Sequence, residues 1–285
     1  MFPSLWIYTY VFKDSKMTCW EPWHHITVDT NGTYKLCCIS HEWPVSLKKY
    51  ESIHEYWNGT ELADVRNAMA NNNWNYLKKS CHSCIYNKKM GFISRSETLP
   101  KPEQTPKLRS IQFKLNNVCN FACLMCGPKY SNKIAKIRGF RHYPYTHNGV
   151  LDNDEIYNDQ WLSEFLKISE NIEHIKFTGG EPLVNPNFYK LLNFFKSNLD
   201  TSKIKLEIIT NGSVPLDSEY LSMWKEVEFK ISIEAVGERN DYIRQGSNWK
   251  TLQRNIQYFK EFRNTNLKVG TVIQALNIFV MDELI

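Results

Sequence analysis

From Lys107 onward the chain alternates short β-branched segments with longer amphipathic ones. Five apolar segments have the composition of strands, and segments with helical spacing of apolar residues lie between them. Such alternation produces parallel strands, because each helix returns the chain to the edge where the previous strand began. The sequence therefore predicts an α/β fold with a parallel sheet, open or closed into a barrel. The predicted strands are residues 107–115, 172–178, 203–210, 227–234 and 267–276.

The first 106 residues have a different character. They contain six of the nine tryptophans and lack the strand-helix alternation. Residues 25–38 are typical of a β-hairpin, with Asn31 and Gly32 supplying a tight turn. We therefore predict a small α+β domain over residues 17–97, an N-terminal extension over 1–16, a proline-containing linker over 98–106, and the α/β core over 107–285.

Composition limits the classes of function. The net charge is +5, and basic residues are interspersed with acidic ones, so no nucleic-acid surface is indicated. The apolar N-terminal segment is too short to cross a membrane and lacks the basic start of a signal peptide. We therefore expect a cytoplasmic protein without membrane association. In a reducing compartment the eight cysteines are expected to bind metal or to react, and not to form disulfides.

Three cysteines directly follow the first predicted core strand. Cys119, Cys123 and Cys126 form a C-x3-C-x2-C pattern. Three thiolates suit an iron-sulfur cluster or zinc, although a closed structural zinc site requires a fourth ligand. The alternatives are a zinc loop completed by a distant residue and three cysteines that pack as small apolar side chains.

A Gly-Gly-Glu-Pro segment follows the second predicted core strand. Gly179 and Gly180 allow a close approach of backbone that a side chain would block, and Glu181 supplies a carboxylate. Because the carboxyl ends of parallel strands meet at one edge, this segment and the cysteines are expected to lie together.

The two motifs in this order resemble the radical S-adenosylmethionine (SAM) superfamily. The resemblance implies a partial (β/α)6 barrel and a [4Fe-4S] cluster on the three cysteines, with one iron open for the amino and carboxylate groups of SAM. It also implies that Gly179, Gly180 and Glu181 bind SAM, with Glu181 at its ammonium. By the same resemblance Ser232 and Glu234 lie near the SAM ribose, where many relatives have Asp in place of the glutamate. Since the chain ends after the fifth predicted strand, we expect the barrel to be truncated there.

The remaining five cysteines all lie in the N-terminal part. Their arrangement resembles the SPASM or twitch domains that accompany radical SAM cores. The resemblance implies an auxiliary [4Fe-4S] cluster, and a structural zinc fits the same spacing. Cys38 is expected in the core, because neighbouring residues of a strand point to opposite faces. The implied ligands are Cys19, Cys37, Cys81 and Cys84.

The resemblance implies reductive cleavage of SAM to a 5'-deoxyadenosyl radical, which abstracts hydrogen from a substrate. An electron donor such as flavodoxin or ferredoxin is then required, and a peptide or protein is the first candidate substrate. A small molecule or RNA is the alternative substrate. A non-catalytic module that binds an iron-sulfur cluster or zinc is the alternative to an enzyme. The sequence identifies no catalytic acid or base.

Overall fold

The computed structural model describes residues 19–40, 52–78, 80–94, 96, 105–138 and 156–284. The predicted extension over 1–16 and most of the predicted linker lie outside the described residues. Among the described helices, none has the length and apolar character that crossing a membrane requires.

The described residues form a seven-stranded sheet in the order β2-β1-β3-β4-β5-β6-β7. Strands β1, β3, β4, β5, β6 and β7 pair in parallel in that order, and β2 pairs with β1 in antiparallel orientation. The strands are β1 (His25–Val28), β2 (Tyr34–Lys35), β3 (Ser110–Lys114), β4 (His174–Thr178), β5 (Lys205–Thr210), β6 (Glu226–Ser232) and β7 (Thr265–Gly270).

The five predicted core strands are confirmed as β3 to β7, in the predicted order, and all of them are shorter than predicted. The largest difference is at the last strand, predicted over residues 267–276. There the chain leaves the sheet after Gly270, because Thr271 Oγ1 donates to the Ile233 carbonyl over 2.7 Å and the Val272 amide turns to the Glu234 carboxylate over 2.8 Å.

The predicted hairpin is also present, but β1 extends the core sheet. It pairs in parallel with β3, with His25 opposite Ser110 and Val28 opposite Phe113. The carboxyl end of β1 therefore lies at the same edge of the sheet as the carboxyl ends of β3 to β7. The division of the chain at residues 98–106 stays a prediction, while the sheet itself is shared by both parts.

Several of the helices begin with a polar side chain that caps the first turn. The side chains of Asn158, Asn185 and Asn248 each accept a hydrogen bond from an amide of the first helical turn, which stabilises a helix by about 1 kcal/mol. The described helices of α type are α1 (Glu21–His24), α2 (Ile53–Asn58), α3 (Thr60–Ala70), α4 (Trp74–Leu77), α5 (His82–Lys89), α6 (Asn132–Arg138), α7 (Asp159–Leu166), α8 (Pro186–Asn198), α9 (Ser218–Ser222), α10 (Glu238–Ile243) and α11 (Trp249–Lys260).

One face of the sheet is apolar and packs against helices. Phe113 and Phe177 stack with ring centroids 5.2 Å apart, and Phe177 contacts Phe188 of α8 at 4.8 Å. Phe229 of β6 stacks on Phe259 of α11 at 4.0 Å. The buried apolar cluster continues into the N-terminal hairpin and helices, so both parts of the chain share one core.

The opposite face of the sheet is polar because side chains alternate along each strand. Glu207 accepts from Lys176 over 2.5 Å and lies 3.1 Å from the His174 ring nitrogen. Glu228 forms ion pairs of 2.8 Å with Lys205 and with Lys268. Ion pairs therefore connect neighbouring strands across this face.

Candidate functional site

The three predicted cluster cysteines lie in the loop between β3 and α6. Asparagine side chains hold this loop. The Cys119 amide donates to Asn132 Oδ1 over 3.0 Å, and Asn117 Nδ2 donates to the Pro128 carbonyl over 2.9 Å. Because these bonds satisfy backbone groups in the absence of regular structure, the loop has a defined path beside the sheet edge.

The three thiols of this loop influence one another. The pKa of the Cys119 thiol is raised to about 12, chiefly by burial and to a smaller extent by the neighbouring Glu181, Cys123 and Cys126. Burial also raises the pKa of Cys123, against the opposing effect of the Arg244 guanidinium. Three thiolates in one partly enclosed place repel each other, so a positively charged metal centre would stabilise them. This donor set therefore fits a metal or iron-sulfur group.

Gly179 and Gly180 bring the end of β4 against the cysteine loop. Gly179 has a φ of +120°, and a Cβ there would lie 2.6 Å from the Leu115 carbonyl oxygen. A Cβ at Gly180 would overlap the Val118 carbonyl. The Gly180 amide donates to the Asn116 carbonyl over 3.0 Å. The close approach predicted at these glycines is thus an approach to the backbone of the cysteine loop.

Glu181 is buried, with 2% of its surface exposed, and its carboxylate contacts protein groups. Oε1 accepts from Thr210 Oγ1 over 2.7 Å and from the Leu183 amide over 3.1 Å, while Oε2 accepts from the Asn211 amide over 2.6 Å. Burial raises the pKa of this carboxyl group, and these hydrogen bonds oppose the effect. Since a carboxylate has about four acceptor positions, the arrangement leaves little of Glu181 for the predicted ammonium of SAM. Its contacts join the ends of β4 and β5.

A cavity of about 680 Å³ lies between the cysteine loop and the carboxyl ends of β6 and β7. Cys123 and Cys126 line one side of it, and Ser232 and Glu234 line another. The structure therefore brings the two residues predicted near the ribose to the same cavity as two of the predicted cluster ligands. Arg244 also lines this cavity and donates to Glu234 Oε1 over 3.0 Å.

The four predicted auxiliary ligands come from three separate segments and line one cavity. Cys19 precedes α1, Cys37 follows β2, and Cys81 and Cys84 lie at the start of α5. The pKa of Cys81 is raised to about 12, chiefly by burial and to a smaller extent by the neighbouring thiols of Cys37 and Cys84. Burial likewise raises the pKa of Cys19 above its ordinary value. A positively charged metal centre would therefore stabilise the thiolates of this second group as well.

Cys38 does not line that cavity, and its carbonyl accepts from Lys114 Nζ over 2.9 Å. The prediction that Cys38 lies in the apolar core is wrong, because the residue is partly exposed and its backbone follows the end of β2 in a turn. Strand alternation did not apply, since β2 has only two residues. The structure nevertheless separates Cys38 from the other four cysteines.

In the part of the chain that the structure describes, no three His, Cys, Asp or Glu side chains are placed to hold one metal ion.

A charged group that sequence reasoning missed joins the hairpin to the cysteine loop. Asp29, completely buried at the end of β1, accepts from Lys35 over 2.5 Å and from Lys129 of the cysteine loop over 3.0 Å. Lys114 of β3 lies 3.6 Å from the same carboxylate. Burial alone would raise the pKa of Asp29, but these lysines lower it well below the ordinary range. No local pattern indicated this group, because its members are distant in sequence.

Two family models match the chain. One, described as the radical SAM superfamily, matches residues 113–277, and the other, SPASM, described as an iron-sulfur cluster-binding domain, matches residues 19–85. The first range contains the three loop cysteines, and the second contains the four cysteines of the other cavity.

Curated relatives are similar over part of their length. A protein named radical SAM cyclopropyl synthase TigE, from Paramaledivibacter caminithermalis, is 29% identical over 170 residues, which is 57% of this chain and 35% of that protein. A GTP 3',8-cyclase from Campylobacter jejuni subsp. doylei is 32% identical over 183 residues, or 63% of this chain and 51% of that protein. The chain thus spans from about a third to about half of these relatives. The match to a solved structure described as native anSMEcpe with bound AdoMet is 19% identical and covers 57% of this chain and 43% of that chain. Its TM-score of 0.39 is low.

Proposed function

The chain belongs to the radical SAM superfamily and carries a SPASM iron-sulfur domain, and from this we propose that Cys119, Cys123 and Cys126 hold a [4Fe-4S] cluster that binds SAM. The observation that carries the proposal is that Cys123 and Cys126 line the same cavity of about 680 Å³ as the ends of β6 and β7. A cluster on these thiols would therefore face a space large enough for a cofactor and part of a substrate.

In this proposal Ser232 contacts the ribose of SAM from the wall of that cavity, and Glu234 does so through the acceptor positions that Arg244 and the Val272 amide leave open. Gly179 and Gly180 act by letting the cysteine loop lie against β4, since any side chain there would displace it. Glu181 acts mainly as a positioning residue, because its carboxylate already accepts three hydrogen bonds from the protein.

A cluster held by Cys119, Cys123 and Cys126 would supply one electron for reductive cleavage of a carbon-sulfur bond of SAM to methionine and a 5'-deoxyadenosyl radical, which would abstract hydrogen from the substrate. The protein's own residues hold the reactants and exclude water. The side chains of Asn117 and Asn132 keep the cysteine loop in place at the edge of the sheet. The electron comes from a donor such as flavodoxin or ferredoxin.

We further propose a second [4Fe-4S] cluster on Cys19, Cys37, Cys81 and Cys84. The SPASM match covers all four residues, and all four line one cavity. A structural zinc is the alternative. With four protein ligands this cluster has no open iron, so its role is electron transfer or stabilisation of the fold.

The first candidate substrate is a peptide or protein, because radical SAM enzymes that carry SPASM or twitch domains commonly modify peptides or proteins. The second candidate is a small molecule. A relative that is 32% identical is named GTP 3',8-cyclase, which favours a nucleotide in that class.

The test begins with anaerobic reconstitution with iron and sulfide, followed by measurement of iron and zinc. Dithionite and SAM are then added, and 5'-deoxyadenosine is measured by mass spectrometry. We expect about eight irons per chain, four for each cluster, and formation of deoxyadenosine. Variants with Ala at Cys119, Cys123 or Cys126 should lose the product, and Cys38→Ala should retain it. Product formation by any of the three variants would refute the assignment of the SAM-binding cluster.

A further inference from the structure

Lys230 is a cation in the middle of the polar face of the sheet. It lies on β6, where Val227, Phe229 and Ile231 point into the apolar core and the alternate positions point away from it. Strand β6 has neighbours on both sides, so Lys230 is not at a sheet edge. No hydrogen bond or ion pair joins Lys230 to another described residue.

The direction of the Lys230 side chain follows from a glycine on the next strand. Lys230 pairs in register with Lys268, and Ser232 pairs with Gly270. A Cβ at Gly270 would lie 2.9 Å from Lys230 Cε and 3.3 Å from Cγ. The aliphatic chain of Lys230 therefore lies over Gly270 and leans toward the carboxyl ends of the strands, where the proposed reaction takes place.

Lys230 lines the same cavity as Cys123 and Cys126. Two other cations line this cavity, and both have partners: Arg244 pairs with Glu234 at 3.0 Å, and Lys129 pairs with Asp29 at 3.0 Å. Among the described cations that line the cavity, Lys230 is therefore the one that forms no ion pair with a described carboxylate.

The neighbouring lysines on this face are already used by the sheet. Lys205 and Lys268 both bind Glu228 over 2.8 Å, which stabilises the pairing of β5, β6 and β7. Lys230 takes no part in these contacts, so its position is not explained by the ion pairs that connect the strands. Lys230 is exposed to solvent, as lysines usually are, but the solvent it faces lies within the cavity.

We propose that Lys230 binds an anionic group of the substrate, a carboxylate or a phosphate, in the part of the cavity next to Ser232. The proposal rests on the proposed function, because it places the substrate beside SAM in this cavity. Once SAM and substrate displace water, an unpaired ammonium group is costly, and an anion on the substrate removes that cost. A neutral substrate would leave the charge unbalanced, so Lys230 selects against it.

The first experiment measures the acetylation rate of individual lysines by mass spectrometry on the reconstituted protein with SAM. The probes are N-acetylglutamate methylamide, its neutral glutamine analogue and inorganic phosphate. An anion that binds Lys230 should slow its acetylation several-fold and leave Lys268 and the exposed Lys250 unchanged. The neutral analogue should have no effect. Stronger protection by phosphate identifies a phosphorylated substrate, and stronger protection by the glutamate probe identifies a peptide carboxylate.

A second measurement titrates the more protective anion by calorimetry into the wild type, Lys230→Met and Lys268→Met. We expect about tenfold weaker binding in Lys230→Met, in line with one charged hydrogen bond, and unchanged binding in the Lys268→Met control. Equal affinity in all three proteins would overturn the proposal. Full protection of Lys230 by SAM alone would also overturn it, because the lysine would then serve the cofactor.

Failure of the proposed function has a separate signature. If the wild type forms no deoxyadenosine but the anion still binds through Lys230, the anion site stands and the proposed catalysis fails. If deoxyadenosine forms and Lys230 is not protected by either anion, the catalysis stands and the anion site is refuted.

Discussion

The Arg244 guanidinium donates to the Glu234 carboxylate over 3.0 Å, from Nη1 to Oε1, with 12% and 1% of the two side chains exposed. The other carboxylate oxygen accepts from the Val272 amide over 2.8 Å. This pair joins α10 and its following turn to the ends of β6 and β7, beside the proposed cofactor cavity.

Replacing Arg244 by Met should destabilise the protein strongly, because it leaves the Glu234 carboxylate buried without a counter-charge. We expect a loss of about 3 kcal/mol or more in the free energy of unfolding, measured by denaturant titration. The double variant Glu234→Gln, Arg244→Met should recover part of this loss. If the double variant loses as much free energy of unfolding as Glu234→Gln and Arg244→Met lose together, the two residues are not coupled.

Gly180→Ala should displace the cysteine loop, because the added methyl group overlaps the Val118 carbonyl. The expected result is loss of iron at the SAM-binding cluster, so total iron falls by about half after reconstitution. Gly127→Ala is the matched control in the same loop, since a Cβ there meets no atom within 4 Å. Equal loss of iron in both variants would show that the loop tolerates no change and that the contact with Val118 is irrelevant.

Cys37 and Cys38 provide an adjacent pair for testing the auxiliary site. Only Cys37 lines the cavity with the other three cysteines, while the Cys38 carbonyl contacts Lys114. Cys37→Ala should therefore lower iron by about four atoms per chain, and Cys38→Ala should leave it unchanged. Zinc in place of this iron would support the structural-zinc alternative, and a selective loss in Cys38→Ala would reverse the ligand assignment.

Stability should fall in acid because of Glu207. Burial alone would raise the pKa of this carboxyl group, but hydrogen bonds from His174 and Lys176 outweigh it and lower the pKa from 4.5 to about 2. The ionised form therefore stabilises the folded state above pH 4.5, and this contribution is lost as the pH falls from 4.5 to about 2. Because its partners are partly exposed, we expect between about 1 and 3 kcal/mol.

Denaturant titrations of the wild type and Glu207→Gln across this pH range will measure that contribution. The variant should be less stable than the wild type at pH 6 and should depend less on pH below 4.5. A parallel decline of both proteins would assign the acid sensitivity to other carboxylates, with Asp29 the first alternative because its pKa is also lowered.

The elements that could be predicted from the sequence are those determined by residues close to one another along the chain. Strands β3 to β7 carry short patterns in which apolar and polar residues alternate, and the spacing of Cys119, Cys123 and Cys126 within one loop is itself a local feature. The turn at Asn31 and Gly32 similarly predicted the hairpin. These predictions required no knowledge of which distant segments meet.

Contacts between distant segments could not be predicted in this way. Nothing in residues 25–28 indicates a parallel partner in β3, because that pairing depends on how the whole sheet assembles. For the same reason the hydrogen bonds from Thr210 and Asn211 to Glu181 could not be predicted, although the carboxylate itself was identified. Arg244 had no identifiable partner until the fold brought Glu234 to it.

The parallel pairing of β1 with β3 has a consequence for synthesis on the ribosome. His25 and Ser110 are 85 positions apart, so at roughly 5–20 residues per second β1 waits about 4 to 17 seconds for its partner strand to be made. During that interval the hairpin has an unpaired edge, and Asp29 lacks the lysines of β3 and of the cysteine loop. The N-terminal segment is therefore translated first but completes its fold late, and its dependence on chaperones should be greatest before Lys129 emerges.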